Sequence, residues 1–166
     1  AAASCNAGTC GIACNFGFGN CDNSAGNGCE INTQTNINNC GACNNACPPV
    51  ANGNRGCTAG NCGIASCNSG FSNCDGNSAN GCETHLLTST NHCGACGNAC
   101  FVANGFPACS SGACNIAACN SGFANCNGNA GDGCEINVNT NVNHCGACNN
   151  VCPGGFSCSN GLCAPP

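Results

Sequence analysis

Three copies of Cys-Gly-Ala-Cys stand at 40–43, 93–96 and 145–148, and each is followed by a further cysteine at 47, 100 or 152. Two cysteines at this spacing can form a dithiol redox site, and three can hold zinc or an iron–sulfur cluster as thiolates. The redox motif needs a βαβ frame, which is missing, and thiolate ligation needs a reducing compartment. The chain carries 26 cysteines in 166 residues, an even number that suits complete pairing in an oxidising compartment. A reduced thiol store would be denser in cysteine and rich in lysine, whereas this chain has no lysine. The three motifs are therefore read as framework. No Cys-x-x-Cys-His occurs, which excludes covalent haem attachment.

The other groups able to do chemistry are three histidines and six acids. His92 and His144 occupy one repeat position, and the first repeat has Asn39 there. Asparagine replaces histidine as a hydrogen-bonding surface residue but not as a general base. No Ser–His–Asp set can be assembled with His85, His92 or His144, because each repeat lacks at least one needed group. The chain is expected not to be an enzyme. The acids recur in one loop of each repeat: Asp22, Asn27 and Glu30, then Asp75, Asn80 and Glu83, then Asn127, Asp132 and Glu135. The third loop exchanges Asp and Asn, so those two positions are expected to face one point. Hard oxygen ligands in a Gly-rich loop suit weak Ca²⁺ binding, though the spacing is not that of an EF-hand. The other reading is turn chemistry, in which the same side chains hold backbone amides. No other cofactor is required.

These residues sit in an array. The block Cys14, Cys21, Cys29, Cys40, Cys43, Cys47 recurs as Cys67, Cys74, Cys82, Cys93, Cys96, Cys100, and again as Cys119, Cys126, Cys134, Cys145, Cys148, Cys152. Between the blocks and at both ends stand Cys5/Cys10, Cys57/Cys62, Cys109/Cys114 and Cys158/Cys163. The division that follows is a half-repeat over 1–13 and repeats over 14–66, 67–118 and 119–166, the last closed by Cys158/Cys163.

Each pair, as in CTAGNC, brackets a tight turn between two short strands. The Phe segment after it (Phe16 and Phe18, Phe71, Phe123) is expected to seed a small core. INTQTNIN (31–38) and INVNTNVN (136–143) alternate with period two, a strand pattern that THLLTSTN (84–91) keeps loosely. Cysteines at i, i+3 and i+7 over 40–47 suit one short helical turn, which Gly41 weakens. Two pairing schemes fit the count. Either each flanking pair closes on itself across its turn, or each splits, bridging back and forward. The first is favoured, because cysteines facing across a tight turn lie within disulfide reach.

Large apolar residues are scarce, with seven Phe, six Ile, five Val and three Leu and no Met, Trp or Tyr. A chain so poor in hydrophobes would ordinarily stay disordered, so cross-links must supply the order. One basic residue, Arg55, against six acids excludes a nucleic-acid or anionic-membrane partner. No apolar run reaches transmembrane length, so no membrane insertion is expected. The 33 asparagines include no Asn-x-Ser/Thr sequon. Paired Thr-x-Thr segments (33/35, 88/90) are too sparse for an ice-binding face. The Ala1-Ala2-Ala3 start reads as a processed end or an excerpt from a longer chain.

CNSGFSNCDGNSANGCE (67–83) followed by NHCGACGNAC (91–100) resembles cysteine-rich tandem repeats of large secreted proteins from myxobacteria and related bacteria. The resemblance covers nearly the whole chain. NFGFGNCDNSAGNGCE in the first repeat and NCNGNAGDGCE in the third depart from it. It implies secretion and repetition, and it carries over no catalytic or binding residue.

The expected fold is a small disulfide-rich tandem-repeat array, elongated, mostly loops with short β-hairpins and at most one short helical turn per repeat. The expected function is an extracellular or cell-surface structural protein: a stalk, a surface coat or a self-associating filament subunit. A surface with about 4% charged residues repels its own copies weakly. No small-molecule substrate is implied. The competing class is a secreted binding module, such as an adhesin or protease inhibitor, displaying the variable segments 48–56, 101–108 and 153–157, with Arg55 the only basic specificity residue.

Overall fold

The computed structural model describes residues 1–6 and 9–166 and, of Ser4, Asn6, Thr9 and Cys10, the backbone alone. The turn expected at Ala7-Gly8 and the pairing of Cys10 lie outside the described residues. Two compact units divide the chain, Ala1–Glu83 and Thr84–Pro166.

Strands of the first unit are β1 (Ala2–Asn6), β2 (Thr9–Ala13), β3 (Phe18–Gly19), β4 (Ile31–Asn32), β5 (Gly53–Thr58), β6 (Asn61–Cys67) and β7 (Phe71–Ser72). The second unit holds β8 (Thr84–His85), β9 (Gly105–Ser110), β10 (Ala113–Cys119), β11 (Phe123–Ala124), β12 (Ile136–Asn137), β13 (Ser157–Ser159) and β14 (Leu162–Ala164). All pairing is antiparallel and two-stranded: β1–β2, β3–β4 and β5–β6 in the first unit, and β9–β10, β11–β12 and β13–β14 in the second. Among the described residues there is no helix. The molecule is thus a disulfide-rich array of short hairpins and loops.

Hairpins form where the sequence placed them. Thr58 pairs with Asn61, Ser110 with Ala113 and Ser159 with Leu162, leaving two-residue turns at Ala59-Gly60, Ser111-Gly112 and Asn160-Gly161. The first residue of each turn has φ of 49–52° and the glycine has φ of 75–77°. Two successive residues at positive φ make the mirror-image turn whose twist matches paired strands, and glycine takes the second place without penalty.

Three sequence expectations are corrected. The alternating segments 31–38 and 136–143 are strands for two residues only. Asn32 Oδ1 accepts from the Gln34 amide at 2.9 Å, and Asn36 Oδ1 accepts from Asn38. Asn137 and Asn141 do the same to Asn139 and Asn143. Each segment carries two Asx turns four residues apart, which bend the backbone away from the ladder. The short helical turn over 40–47 is absent as well. Gly41 sits at φ +78° and Asn44 at +62°, which no right-handed helix accommodates.

Nor do the phenylalanines seed a core. Phe16 is 94% exposed and Phe18 47%, while Phe71 and Phe123 are half-buried. The fully buried side chains are Cys40, Cys47, Cys82, Cys93, Cys134 and Cys145, joined by Val102, Val138 and Thr33. Sulfur pairs, and not aromatic rings, occupy the most buried positions.

The turns give the first test. Alanine in the left-handed region costs about 1 kcal/mol that asparagine largely avoids. Ala59→Asn should raise stability by roughly that amount and Asn160→Ala should lower it similarly, read by calorimetric melting without reductant. Equal melting of wild type and both variants would contradict the turn assignment.

Candidate functional site

The cysteines form a ladder with one recurring pattern. In the first repeat the bridges are Cys14–Cys29, Cys21–Cys43, Cys40–Cys57 and Cys47–Cys62. In the last they are Cys119–Cys134, Cys126–Cys148, Cys145–Cys158 and Cys152–Cys163. Between them, Cys67 bonds Cys82 in the first unit, and Cys93–Cys109 and Cys100–Cys114 close in the second. Cys5, Cys74 and Cys96 are disulfide-bonded too, and no described cysteine is free.

The three flanking pairs described, 57/62, 109/114 and 158/163, form neither of the expected pairing schemes. Cys57 lies directly opposite Cys62 across β5 and β6, as the turn predicts, yet each sulfur bonds elsewhere. Both run back to the preceding block, to Cys40 and Cys47, and the pairs 109/114 and 158/163 do likewise. Residues directly opposite in an antiparallel pair share one face. Here that face is pressed onto the 40–47 loop, so each sulfur meets a loop cysteine.

A glycine pair permits the approach. A Cβ on Gly41 would lie 2.6 Å from the Gly60 carbonyl oxygen, and Gly94/Gly112 and Gly146/Gly161 repeat the contact at 2.5 Å. Backbone bonds hold it: Gly41 N–H donates to Thr33 and Gly60 N–H donates to Gln34. Side chains that the sequence reading passed over complete the loop. The amides of Asn45, Asn98 and Asn150 donate to the carbonyls of Cys40, Cys93 and Cys145. Their recurrence five residues after a buried cysteine was the available signal.

Cys40 and Cys43 bond different partners, so Cys-Gly-Ala-Cys is framework and not a dithiol centre. Among the described residues the only close groups of three metal-ligand atoms are cysteine triads such as Cys40, Cys47 and Cys57, all consumed in bridges. His92 and His144 act as acceptors. Nδ1 of His92 takes the Gly97 amide and Nδ1 of His144 the Asn149 amide, while Asn39 Oδ1 takes the Asn44 amide in the first repeat. One acceptor role explains the Asn/His exchange.

In the acidic loops the exchanging positions do meet. Asn27 Nδ2 donates to Asp22 Oδ2 at 2.7 Å, Asn80 to Asp75 at 2.8 Å, and Asn127 to Asp132 at 2.8 Å. Glu30, Glu83 and Glu135 point elsewhere, each accepting the amide of Cys21, Cys74 or Cys126 through Oε1. Each of the nine residues makes one of these hydrogen bonds within its loop. Glu135 Oε2 is buried without a hydrogen-bond partner. The Ser24 amide, then the Asn27 side chain, hold the Asp22 carboxyl below the ordinary carboxylate range, and Asn77 and Asn80 do the same for Asp75. Arg55, the one candidate for an inhibitor's specificity residue, is half-buried, with Nη1 donating to the Cys47 carbonyl at 2.7 Å and Nη2 to Asn38 Oδ1.

Comparison with family models, curated proteins and solved structures finds no match to this chain.

Two tests follow from the loops. A carboxyl with a lowered folded pKa contributes stability above its unfolded value, near 3.9, and loses it as pH falls through the folded value. Hydrogen-exchange protection of the Ser24 and Asn77 amides should therefore persist at neutral pH and fall away below about pH 4. Protection that declines already above that range would point to another group. The loop also requires one carboxylate and one carboxamide. Asn80→Asp should weaken protection at residue 77, and adding Asp75→Asn should restore it, reproducing the order of Asn127 and Asp132. A double variant no better than the single one would refute the pairing.

Proposed function

We propose that this chain is an extracellular structural repeat protein, a stalk, surface-coat or filament segment that associates with its own copies. The dense disulfides indicate an oxidising, extracellular-type compartment. The observation that carries the structural reading is the ladder itself, whose loops use most of their traced polar side chains to hold backbone or one another. Self-association is supported by hairpins that pair with no third strand among the described residues and by a sequence with about 4% charged residues. No helix among the described residues is long and apolar enough to cross a membrane.

A binding module is the second reading, and exposed aromatics favour it. Phe101 and Phe106, in the variable segment 101–108, are 82% and 61% exposed. Weak Ca²⁺ binding, where it occurs, belongs to the third loop, where Glu135 Oε2 has no partner. Glu135→Gln keeps the acceptor for the Cys126 amide and should abolish any Ca²⁺ heat seen in millimolar titration.

Assembly is tested on native material. Negative-stain microscopy should show fibres or sheets, and discrete particles would instead support the binding module. Since Cys163 bonds Cys152 within the chain, boiling in detergent without reductant should give a single monomer band. A ladder that collapses with reductant would mean that copies are joined covalently.

A further inference from the structure

Six asparagines precede glycine: Asn27, Asn52, Asn80, Asn104, Asn127 and Asn160. In such a dipeptide the glycine nitrogen can attack the asparagine side chain, because no Cβ hinders it. The fold treats the six sites differently. Gly53 N–H donates to Val50, and the Asn52 side chain donates to the Cys82 carbonyl. Gly81 is buried, with Ala51 backbone atoms 2.6–2.7 Å from where its Cβ would be. Gly105 lies in β9 against the Ala118 carbonyl, and Asn104 donates to the Cys134 carbonyl. Gly128 N–H is held by Asn125 Oδ1, and Gly161 N–H by the Asn139 carbonyl. Asn27 differs from all of these. It is exposed, Gly28 is half-exposed with nothing within 4 Å of a Cβ position, and no hydrogen bond among the described residues holds the Gly28 amide.

We propose that Asn27 is a site of spontaneous, water-driven modification: its side chain keeps only the exposed bond to Asp22 that Asn80 and Asn127 also have in kind, and Gly28 is the one glycine of the six that lies outside any strand or buried contact with no hydrogen bond to its amide among the described residues. Gly28 N–H gives its proton to water and the nitrogen bonds to Asn27 Cγ. The Cγ–Nδ2 bond then breaks, and Nδ2 takes up a proton to leave as ammonia. Water adds to either carbonyl of the five-membered imide and reopens it, giving aspartate or isoaspartate at position 27. One water is consumed and one ammonia released, with no electron transfer. Replacing Gly28 by a residue with a Cβ would be strained, since the position holds φ +84°.

The product breaks the loop's rule. Where Asn27 donated to Asp22 Oδ2 at 2.7 Å, a second carboxylate now faces the first. The third repeat tolerates a carboxylate in this slot, at Asp132, because Asn127 opposes it. In the first repeat nothing compensates, so the loop between Cys21 and Cys29 loses its cross-link. The chain also gains a negative charge beyond its formal −5. Each modified copy would repel its neighbours more.

Peptide mapping by mass spectrometry tests the site on the intact, oxidised chain after incubation at mildly alkaline pH and physiological temperature. Conversion at Asn27 should outrun each of the other five sites by about tenfold, the factor one ordinary hydrogen bond makes in a rate. In the reduced, alkylated chain the six sites should convert at similar rates. Asn27→Gln should remove the acidic species that isoelectric focusing resolves earliest. Another site matching Asn27 in the folded chain would overturn the proposal. So would the same selectivity surviving in the unfolded one.

Discussion

A disulfide fixes two Cα atoms within a narrow range of separation, here 5.2–5.7 Å across the bridges of both units. That tether replaces side-chain volume as the organiser of this fold. An ordinary domain positions its strands by filling the space between them, whereas here the sulfur pair is both filling and fastener. The fully buried positions are cysteines for this reason, and phenylalanine is left at the surface. Glycine at 41 and 60 is the corollary, because a bridge so short brings backbone against backbone.

Asparagine does the complementary work. With so few strands, most backbone amides lie outside any ladder and must still be satisfied. Asn32, Asn36, Asn45 and Asn52 each donate or accept at the loop backbone, and Asn52 also takes the left-handed conformation at φ +50°. The side chain that closes an Asx turn is also the one that tolerates positive φ. Abundant asparagine and abundant cysteine are therefore two halves of one solution, with sulfur setting distances and carboxamides satisfying the chain between them.

Much of this was legible in the sequence. Cysteine recurrence gave the repeats, Gly at the fourth position of CTAGNC gave the hairpins, and the Asp/Asn exchange gave the facing pair that Asn127 and Asp132 confirm. Connectivity was not legible. Cys57 and Cys62 face each other as their turn demands, and local geometry alone cannot reveal that a loop ten residues earlier covers both. The paired recurrence of Gly41 with Gly60, Gly94 with Gly112 and Gly146 with Gly161 carried that information, but only as a coincidence of two backbone needs. The segment 31–38 misled because an even spacing serves both a pleated strand and Asx turns four residues apart. Only the hydrogen-bond partner of each carboxamide separates the two.

The ladder has a mechanical side. A pull applied between Cys14 and Cys62 follows the shortest covalent route: seven residues to Cys21, across to Cys43, four residues to Cys47, and across to Cys62. Taut, that route spans roughly 50 Å, against roughly 170 Å for the 48 residues drawn out in line. The same short circuit runs from Cys119 to Cys163 through Cys126–Cys148 and Cys152–Cys163. The acidic loop and the hairpin tip lie off the line of tension. Each such repeat is a link whose greatest length is set by its bridges, capped at that short route while oxidised and able to extend several times further once reduced.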